Sequence, residues 1–582
     1  MINYQKRKNS NLFLSLEKPN TLFLSKTQNY IPVYSRFFSL NETNYSSINL
    51  NNKWYLSNID ERKKEDTCSS FNCTLKHLTS EKTKKKELFF KLAPLLDPFK
   101  YLIGKYDTNN KELFSLPQIN SIQNEVHPKL LDENNSAYVD GLFLYLSSQL
   151  SNNNFFPHSV DYYGSFLAIK NNYQINVYDD LEYLSTSEFF NKNKTILFNI
   201  DNYEHLFKEN DTKKPLINIH NSSIKSLQSV NSIKEEFFDD IFDLNCIGLE
   251  NLKDMSLELE DITNNNKFFE THEKSTTLKS ESSCSSRTSY TSVEDDENNS
   301  EKSVHSSSDN SEKSDWEDED DESSEEDEEE KIMVTFPKFP VQVIAMENCE
   351  MTLDDLILRN EINEGEWFSS LMQVIMILIT YQKAFSFTHN DLHTNNIMFN
   401  STNKKHIYYC YQNTYYQVPT FGRIFKIIDF GRSIFKYDGK IFCSDSFQQG
   451  GDAATQYNTE PYFNDKKPRL EPNFSFDLCR LACSIFDYVI EDMDEIEKCD
   501  NPVTKLIIDW CLDDKGTNLL YKNNGSERYP DFKLYKMIAR CVHKHTPQQQ
   551  LERNEFKSYK ILKNLIPTNE KIINIDEIPI LI

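Results

Sequence analysis

The chain has 582 residues, of which 64 are Lys or Arg and 90 are Asp or Glu, so its formal net charge at pH 7 is −26. A nucleic-acid-binding surface is expected to be basic, and no predicted folded segment is, which argues against nucleic acid as the main partner. Only 12 residues are glycine, the first being Gly104, which excludes a glycine-rich phosphate loop near the N-terminus.

The sequence also argues against membrane insertion and against a disulfide framework. No apolar run reaches the roughly 20 residues that span a bilayer, and the longest, near Leu371–Ile379, is interrupted by Gln373. The apolar run Leu12–Leu16 is too short for a signal peptide. The 12 cysteines form no C-x-x-C pair, so we expect reduced thiols in a cytoplasmic protein without membrane contact.

The first part of the chain predicts a small α+β domain. Residues 1–80 are rich in Asn and Ser but carry aromatic clusters, and we expect an extension that packs on the domain that follows. Residues 81–170 are expected to form the first part of that domain. Hydrophobic periodicity predicts strands at Cys73–Ser80, Glu87–Leu92 and Tyr162–Ile169 and a helix at Ala137–Leu150.

A long insertion is predicted next. Residues 171–262 are expected to be partly structured, whereas residues 263–331 have low complexity and are expected to be disordered. Between Glu294 and Glu330 there are 20 acidic and two basic residues, which favours a solvated, self-repelling spacer. The alternative is a phosphorylated regulatory tail, because three serines directly precede acidic runs: Ser314, Ser323 and Ser324.

The remaining residues predict the end of the small domain and then a second domain. Residues 332–349 are expected to provide a last strand, Val341–Met346, and residues 350–582 a mostly helical domain. Helices are predicted at Leu353–Leu358 and at Trp367–Phe385, the second apolar almost all round as buried helices are. A strand-rich part followed by a helix-rich part favours two lobes.

The strongest chemical signal comes from two short segments of the second domain. The first runs from Thr388 to Met398 and contains His-Asn-Asp-Leu-His-Thr-Asn-Asn; the second, Asp429-Phe430-Gly431, begins 33 residues after Asn396. Phosphoryl transfer needs a carboxylate that orients the acceptor hydroxyl, and oxygen ligands that hold Mg²⁺ on the nucleotide phosphates. The two segments resemble the catalytic loop H-x-D-L-x-x-x-N and the D-F-G motif of the protein-kinase superfamily.

The resemblance implies a bilobal α+β fold of the protein-kinase type, with a small β-rich N-lobe, a larger helical C-lobe, and the acidic insertion in the N-lobe. It implies ATP and Mg²⁺ as cofactors and transfer of the γ-phosphoryl to a Ser or Thr hydroxyl of a protein substrate. Asp391 is then the base, with His389 among the catalytic residues, and Asn396 and Asp429 bind Mg²⁺. Asp477 resembles the helix Asp that braces the catalytic-loop backbone.

Two lysines compete for the role of the N-lobe phosphate contact. Lys170 ends a match to the kinase pattern V-A-I-K, but a turn is predicted directly after it at Asn171–Asn172. Lys91 is preferred because a predicted helix and strand follow it in the order that a kinase requires, with Asp140 as its helix partner. For either lysine, a solvated charge at a strand end is the alternative.

The segment Val341–Glu350 resembles the fifth strand and the hinge of a kinase. Met346 would then be the gatekeeper residue. Backbone groups near Glu347 and Cys349 would meet the adenine edge. More specifically, the chain resembles the serine/threonine kinases of giant DNA viruses of the mimivirus type in the catalytic loop, the Tyr-rich segment His406–Phe425 and Ile427–Ser433. This resemblance implies that the protein is located in the host cytoplasm.

Three departures from the kinase pattern leave other functions open. The missing glycine-rich loop favours, as an alternative, a pseudokinase that serves as a scaffold. Asn390 replaces the usual Arg, so no basic side chain is expected next to the catalytic Asp. His393 stands where many serine/threonine kinases have Lys, which is similar to aminoglycoside-phosphotransferase-like enzymes and suggests a small-molecule kinase as a second alternative.

Overall fold

The structure is a computed structural model that describes residues 2–60, 69–121, 125–203, 331–490 and 493–582. The predicted insertion beyond residue 203 and the acidic segment, with its three candidate serines, lie outside the described residues. The described chain forms two compact units. The first contains the residues up to Leu131, those from Tyr162 to 203 and those from 331 to Asn348; the second contains Asp132–Asp161 and Cys349–Ile582.

The first unit is built around an antiparallel sheet. Its strands are β1 (Tyr4–Lys6), β2 (Leu24–Gln28), β3 (Ile48–Leu50), β4 (Trp54–Ile59), β5 (Ser70–His77), β6 (Thr83–Pro94), β7 (Tyr162–Asn176), β8 (Asn199–Ile200) and β9 (Met333–Glu347). Seven of them form one sheet with the order β2-β7-β9-β6-β5-β4, in which β8 also pairs with β9. The short strands β1 and β3 form a separate pair.

Short helices complete this unit. They are α1 (Ser10–Leu16), α2 (Pro98–Leu102), α3 (Pro128–Leu131), α5 (Leu181–Thr186) and α6 (Glu188–Asn193). An aromatic cluster packs on the long strands β7 and β9: Tyr173 stacks on Phe339 at a ring distance of 5.1 Å, and Tyr101 meets both Phe336 and Phe339. Rings of this size bury much of the apolar surface that holds a small sheet together.

Two expectations about this unit are corrected. Residues 1–80 are not an appended extension, because β2, β4 and β5 are members of the main sheet. The turn predicted at Asn171–Asn172 is absent: β7 continues through both residues, with only Asn172 at a positive φ of 52°. The pairing partner explains this, since β9 runs alongside β7 from Tyr162 to Asn176 and supplies hydrogen bonds that the local sequence does not reveal.

Helices are the longest elements of the second unit. Its helices are α4 (Ser136–Asn154), α7 (Leu353–Leu358), α8 (Glu364–Phe385), α9 (Phe476–Val489), α10 (Pro502–Trp510), α11 (Phe532–Cys541), α12 (Pro547–Gln550) and α13 (Asn554–Lys557). Side chains define where the long helices begin: Asn135 caps α4 by accepting a bond from the Ala137 N–H, and Asn363 and Glu366 form a capping box on α8. The predicted helices at 137–150, 353–358 and 367–385 are therefore confirmed.

Strands also contribute to the second unit, so the expectation that residues 350–582 are mostly helical is wrong. The strands are β10 (Met351–Thr352), β11 (Ile397–Ser401), β12 (His406–Tyr411), β13 (Thr414–Pro419), β14 (Arg423–Ile427), β15 (Ile434–Tyr437), β16 (Lys440–Cys443), β17 (Lys560–Ile561) and β18 (Ile572–Asn574). They form three small sheets, β10-β11-β14, β17-β13-β12-β18 and β15-β16. The Tyr-rich hairpin β12–β13 turns at Gln412 and Asn413, both with positive φ.

Helix α8 is long and apolar enough to cross a membrane by length and composition, but 89% of its apolar window is buried inside the protein. This burial is typical of a core helix and is consistent with a soluble protein. Nine of the twelve cysteines lie in the described part of the chain, and all nine are free thiols.

A buried histidine fixes the strand that leads to the predicted metal ligand Asp429. The His158 ring is fully buried, with Nδ1 2.7 Å from the Phe425 carbonyl oxygen of β14 and Nε2 2.7 Å from the Tyr409 hydroxyl. Since a carbonyl can only accept, Nδ1 carries the proton and Nε2 accepts from the tyrosine. Burial, as the main cause, lowers the pKa of His158 to about 3.

The depressed pKa predicts acid sensitivity. Between pH 6.5 and about 3 the unfolded chain protonates this histidine and the folded chain does not, so stability falls as pH falls through that window. At pH 4 the loss of folding stability caused by His158 reaches on the order of 3 kcal/mol relative to neutral pH. We expect His158→Gln to remove this acid-dependent loss. Urea unfolding at pH 7 and pH 4 measures it, with half-exposed His406→Gln as the control. Equal pH slopes in wild type and His158→Gln would contradict the assignment.

Candidate active site

The predicted catalytic loop and the Asp-Phe-Gly segment meet at one end of an antiparallel strand pair. Residue Ile397 at the start of β11 pairs with Ile427 at the end of β14. One step beyond this pair, the Ile428 N–H donates to the Asn396 carbonyl at 3.0 Å. Because the start of one antiparallel strand lies beside the end of its partner, residues 391–396 and 429–431 are brought to the same edge although they are distant in sequence.

A carboxylate on helix α9 holds the catalytic loop in shape. The two oxygens of Asp477 accept the backbone N–H groups of His389 and Asn390, each at 2.9 Å. Asp477 is fully buried, and burial raises its pKa. Asn390 has a φ of 64°, a conformation that asparagine tolerates better than most residues. The predicted bracing role of Asp477 is thus confirmed.

The predicted base, Asp391, lies in a closed polar environment. Its side chain is 2% exposed, and its Oδ1 accepts the Tyr535 hydroxyl at 2.8 Å. Its Oδ2 has no hydrogen-bond partner among the described residues, and the nearest guanidinium nitrogen, of Arg432, is 3.8 Å away. Burial alone would raise the pKa of Asp391, but chiefly the charge of Arg432, with the Tyr535 hydrogen bond, holds it at about 2. The carboxylate is therefore ionised at neutral pH.

Both ring nitrogens of His389 are used to hold backbone. Its Nε2 is 2.9 Å from the Ile428 carbonyl and must donate to it, so Nδ1 accepts the Asp391 N–H at 3.3 Å. The imidazole thereby ties the catalytic loop to the strand that ends before Asp429. This geometry makes His389 a positioning residue for Asp391.

Asn396 and His393 complete the loop. The Asn396 amide nitrogen donates to the Asp391 carbonyl at 2.9 Å and lies 3.0 Å from Nε2 of His393. Burial lowers the pKa of His393 to about 4, and Asp391 and Asp429 both act on this ring in the opposite direction. The carboxylates of Asp391 and Asp429 therefore both lie near His393. Because the amide nitrogen of Asn396 makes the two contacts above, its amide oxygen is the atom able to bind a cation.

The Asp-Phe-Gly segment is anchored to helix α4. Asp429 is 5% exposed with a φ of 61°, in the left-handed region that is uncommon for residues other than glycine. The next N–H, of Phe430, donates to Asp140 at 2.8 Å. The Phe430 ring packs 4.7 Å from Phe143, one turn further along α4, and 6.0 Å from Phe387. Asp140, predicted as the partner of Lys91, is thus seen to hold the backbone beside Asp429.

The other predicted nucleotide-binding residues belong to the first unit or to its border. Lys91 is partly exposed on β6 and lies opposite Ile344 of β9, whereas Lys170 is 3% exposed on β7. Glu347 is the last residue of β9 and Cys349 is the first residue of the second unit. Both are partly exposed.

Two residues that contact Asp391 were not predicted from the sequence. Arg432 directly follows the Asp-Phe-Gly segment and supplies the basic group that Asn390 does not, while also lying 3.8 Å from Asp452. Its position in Asp-Phe-Gly-Arg was a usable signal. Tyr535 lies 144 residues from Asp391 in sequence, and nothing in the local pattern marks it.

The Asp391–Arg432 pair predicts strong energetic coupling, because breaking a buried ion pair leaves an uncompensated charge. We expect Arg432→Met to lower the free energy of unfolding by about 3–5 kcal/mol, and Asp391→Asn to recover part of this loss in the double mutant. The control is Arg423→Met, which removes the more exposed pair with Glu366 and should cost about 1 kcal/mol or less. Additive effects of the two site mutations in urea unfolding would show that the pair is not coupled.

The side chains present fit a magnesium ion better than a transition metal. Asp429 and Asn396 offer a carboxylate and an amide oxygen, the hard ligands that Mg²⁺ prefers when water and phosphate supply the rest. Among the described residues, no group of three or more His, Cys, Asp or Glu side chains is arranged to hold a metal.

No protein-family model and no curated protein matches the chain.

Proposed function

We propose that the chain is a serine/threonine protein kinase that transfers the γ-phosphoryl group of ATP to a protein hydroxyl. The observation that carries the proposal is the convergence of an ionised, buried Asp391 with Asn396 and the Asp429 segment at one strand edge. These are the three groups that the resemblance to the kinase superfamily assigns to phosphoryl transfer.

The low pKa of Asp391 defines how it would act. A carboxylate with a pKa of about 2 is a weak base, so it would mainly orient the acceptor hydroxyl and take its proton late, as the new P–O bond forms. Asn396 and Asp429 would hold Mg²⁺, which when bound neutralises charge on the phosphates. His389, Asp477 and Asp140 would keep these three groups in place through backbone hydrogen bonds.

On the nucleotide side we propose Lys91 as the phosphate contact and the backbone at Glu347 and Cys349 as the adenine contact. In support, β6 pairs with β9 from Leu88 to Pro94, so the strand that carries Lys91 borders the strand that ends at Glu347. Lys91 lies opposite Ile344, three residues before Glu347. Lys170 lies on β7, the other neighbour of β9, opposite Phe339, which is eight residues before Glu347, and it also pairs with Leu24 of β2. This register favours Lys91 over Lys170.

A pseudokinase is the second candidate, favoured by the closed state of Asp391. Its carboxylate is 2% exposed and already engaged by Tyr535, and the sequence lacks a glycine-rich loop to cover phosphates. A protein that binds partners through this fold without transferring phosphate would need neither an accessible Asp391 nor a glycine-rich loop.

The test combines binding and transfer. Mg²⁺-ATP at a hundredfold excess over Kd should stabilise the protein by about 2.7 kcal/mol in a thermal-shift titration. Radiolabelled ATP should then label a Ser/Thr protein substrate panel, with sugars and aminoglycosides as the small-molecule arm. Stabilisation without any transfer favours the pseudokinase, and the absence of both effects contradicts the kinase proposal.

A further inference from the structure

The hydrogen bond between Tyr535 and Asp391 has the geometry expected of a phosphoryl acceptor. A hydroxyl that loses its proton to a general base must lie about 2.6–3.2 Å from it. The Tyr535 hydroxyl donates to Oδ1 of Asp391 at 2.8 Å. It therefore fills the place that a substrate hydroxyl would take if Asp391 is the base.

Packing holds the tyrosine in this position. Tyr535 lies in the first turns of α11 and is 9% exposed. Its ring stacks on Phe532 at 5.0 Å and an interplanar angle of 13°, and it contacts Phe476 at 6.2 Å. The guanidinium groups of Arg480 and Arg432 lie over the ring at 5.1 and 5.7 Å from its centre, a favourable arrangement for cations and aromatic rings.

A substrate hydroxyl has no second route to the carboxylate of Asp391. The carboxylate is 2% exposed, so a substrate hydroxyl cannot reach Oδ1 while Tyr535 is bound there. Oδ2, the other oxygen, lacks a hydrogen-bond partner among the described residues and faces Arg432. An incoming hydroxyl must displace Tyr535 from Oδ1.

We propose that the Tyr535 hydroxyl occupies the acceptor subsite of the protein and competes there with the Ser or Thr hydroxyl of the substrate. The inference rests on the proposed kinase function and adds a regulatory occupant to its active site. Transfer then requires the Phe532–Tyr535 turn of α11 to withdraw from Asp391. Tyr535 competes with the acceptor hydroxyl only, so the affinity for ATP does not depend on whether Tyr535 is bound to Asp391.

The test is Tyr535→Phe, which removes the hydroxyl and keeps the ring that packs on Phe532. We expect kcat/KM for the protein acceptor to rise roughly tenfold, the size expected when one hydrogen bond to a charged group is released. The rise should come from a lower KM for the acceptor, while KM for ATP is unchanged. A purely structural role predicts the reverse, a loss of activity with no selective change in the acceptor KM.

The matched control is Tyr521→Phe. Tyr521 also donates its hydroxyl to a carboxylate, Oδ1 of Asp487, at 2.8 Å in the same unit, and its removal should leave both KM values unchanged. An unchanged or lower acceptor kcat/KM in Tyr535→Phe, with active wild type, overturns the competition and leaves the kinase function standing. Absence of transfer and of stabilisation by Mg²⁺-ATP in both proteins overturns the kinase proposal and the competition with it.

Discussion

Replacement of Asp391 by asparagine is expected to reduce phosphoryl transfer by roughly 10²–10⁴-fold, the contribution typical of a positioned acid or base. Asparagine has the same shape and can still accept the Tyr535 hydroxyl through its amide oxygen. It carries no charge and cannot take up the proton of an acceptor. The loss should therefore appear in kcat, while the binding of Mg²⁺-ATP, measured by thermal shift, is retained.

The control for this experiment is Asp438→Asn. Asp438 lies in the turn between β15 and β16, with a side chain that is 73% exposed, so its neutralisation should leave transfer within about twofold of wild type. Both variants are compared by single-turnover labelling of the same protein substrate. Full activity of Asp391→Asn would falsify its assignment as the base, even if Mg²⁺-ATP still bound.

Local signals predicted three helices of the second unit well. Helix α7 was predicted at Leu353–Leu358 and has those bounds, and α4 and α8 extend the predicted segments by only a few residues. Capping side chains and apolar periodicity are both local in sequence, so they define a helix without knowledge of its neighbours. Strand β9 was likewise predicted, though it begins eight residues earlier, at Met333.

Strand pairing was harder to predict because it depends on distant partners. Nothing in the Asn- and Ser-rich N-terminal sequence indicates that β2 pairs with β7, roughly 140 residues away. The hairpin β12–β13 is a different case, since tyrosines on both strands flank the two turn residues Gln412 and Asn413. Aromatic runs on both sides of a short turn are typical of a hairpin, so the local sequence does contain a signal for these two strands.

The candidate site also contains both residues that local sequence predicts and a residue that only the fold brings into contact. Asp391, Asn396, Asp429 and Asp477 were predicted from short motifs, because the spacing of residues within a loop is a local property. The tyrosine that closes the site reaches Asp391 from a helix 144 residues away. Only the packing of α11 against the catalytic loop reveals that contact, so no single-sequence pattern could have predicted it.

Loss of the Asp477 carboxylate is expected to destabilise the fold strongly. Replacement by alanine leaves the buried N–H groups of His389 and Asn390 without partners, and each unsatisfied group costs about 1–3 kcal/mol. We expect a decrease of on the order of 2–6 kcal/mol in the free energy of unfolding. Asp477→Asn keeps one acceptor oxygen and should lose roughly half as much.

A surface residue with the same bonding pattern separates burial from hydrogen bonding. Asp576 also accepts two backbone N–H groups, of Gln412 at 2.8 Å and Asn413 at 2.9 Å, but at an exposed turn. Water can replace it there, so Asp576→Ala should cost about 1 kcal/mol or less in urea unfolding. Equal losses for Asp477→Ala and Asp576→Ala would mean that burial does not amplify the cost, and the catalytic loop would then need another source of rigidity. A large loss at Asp477 alone, with transfer lost in parallel, supports the view that this carboxylate holds Asp391 in place.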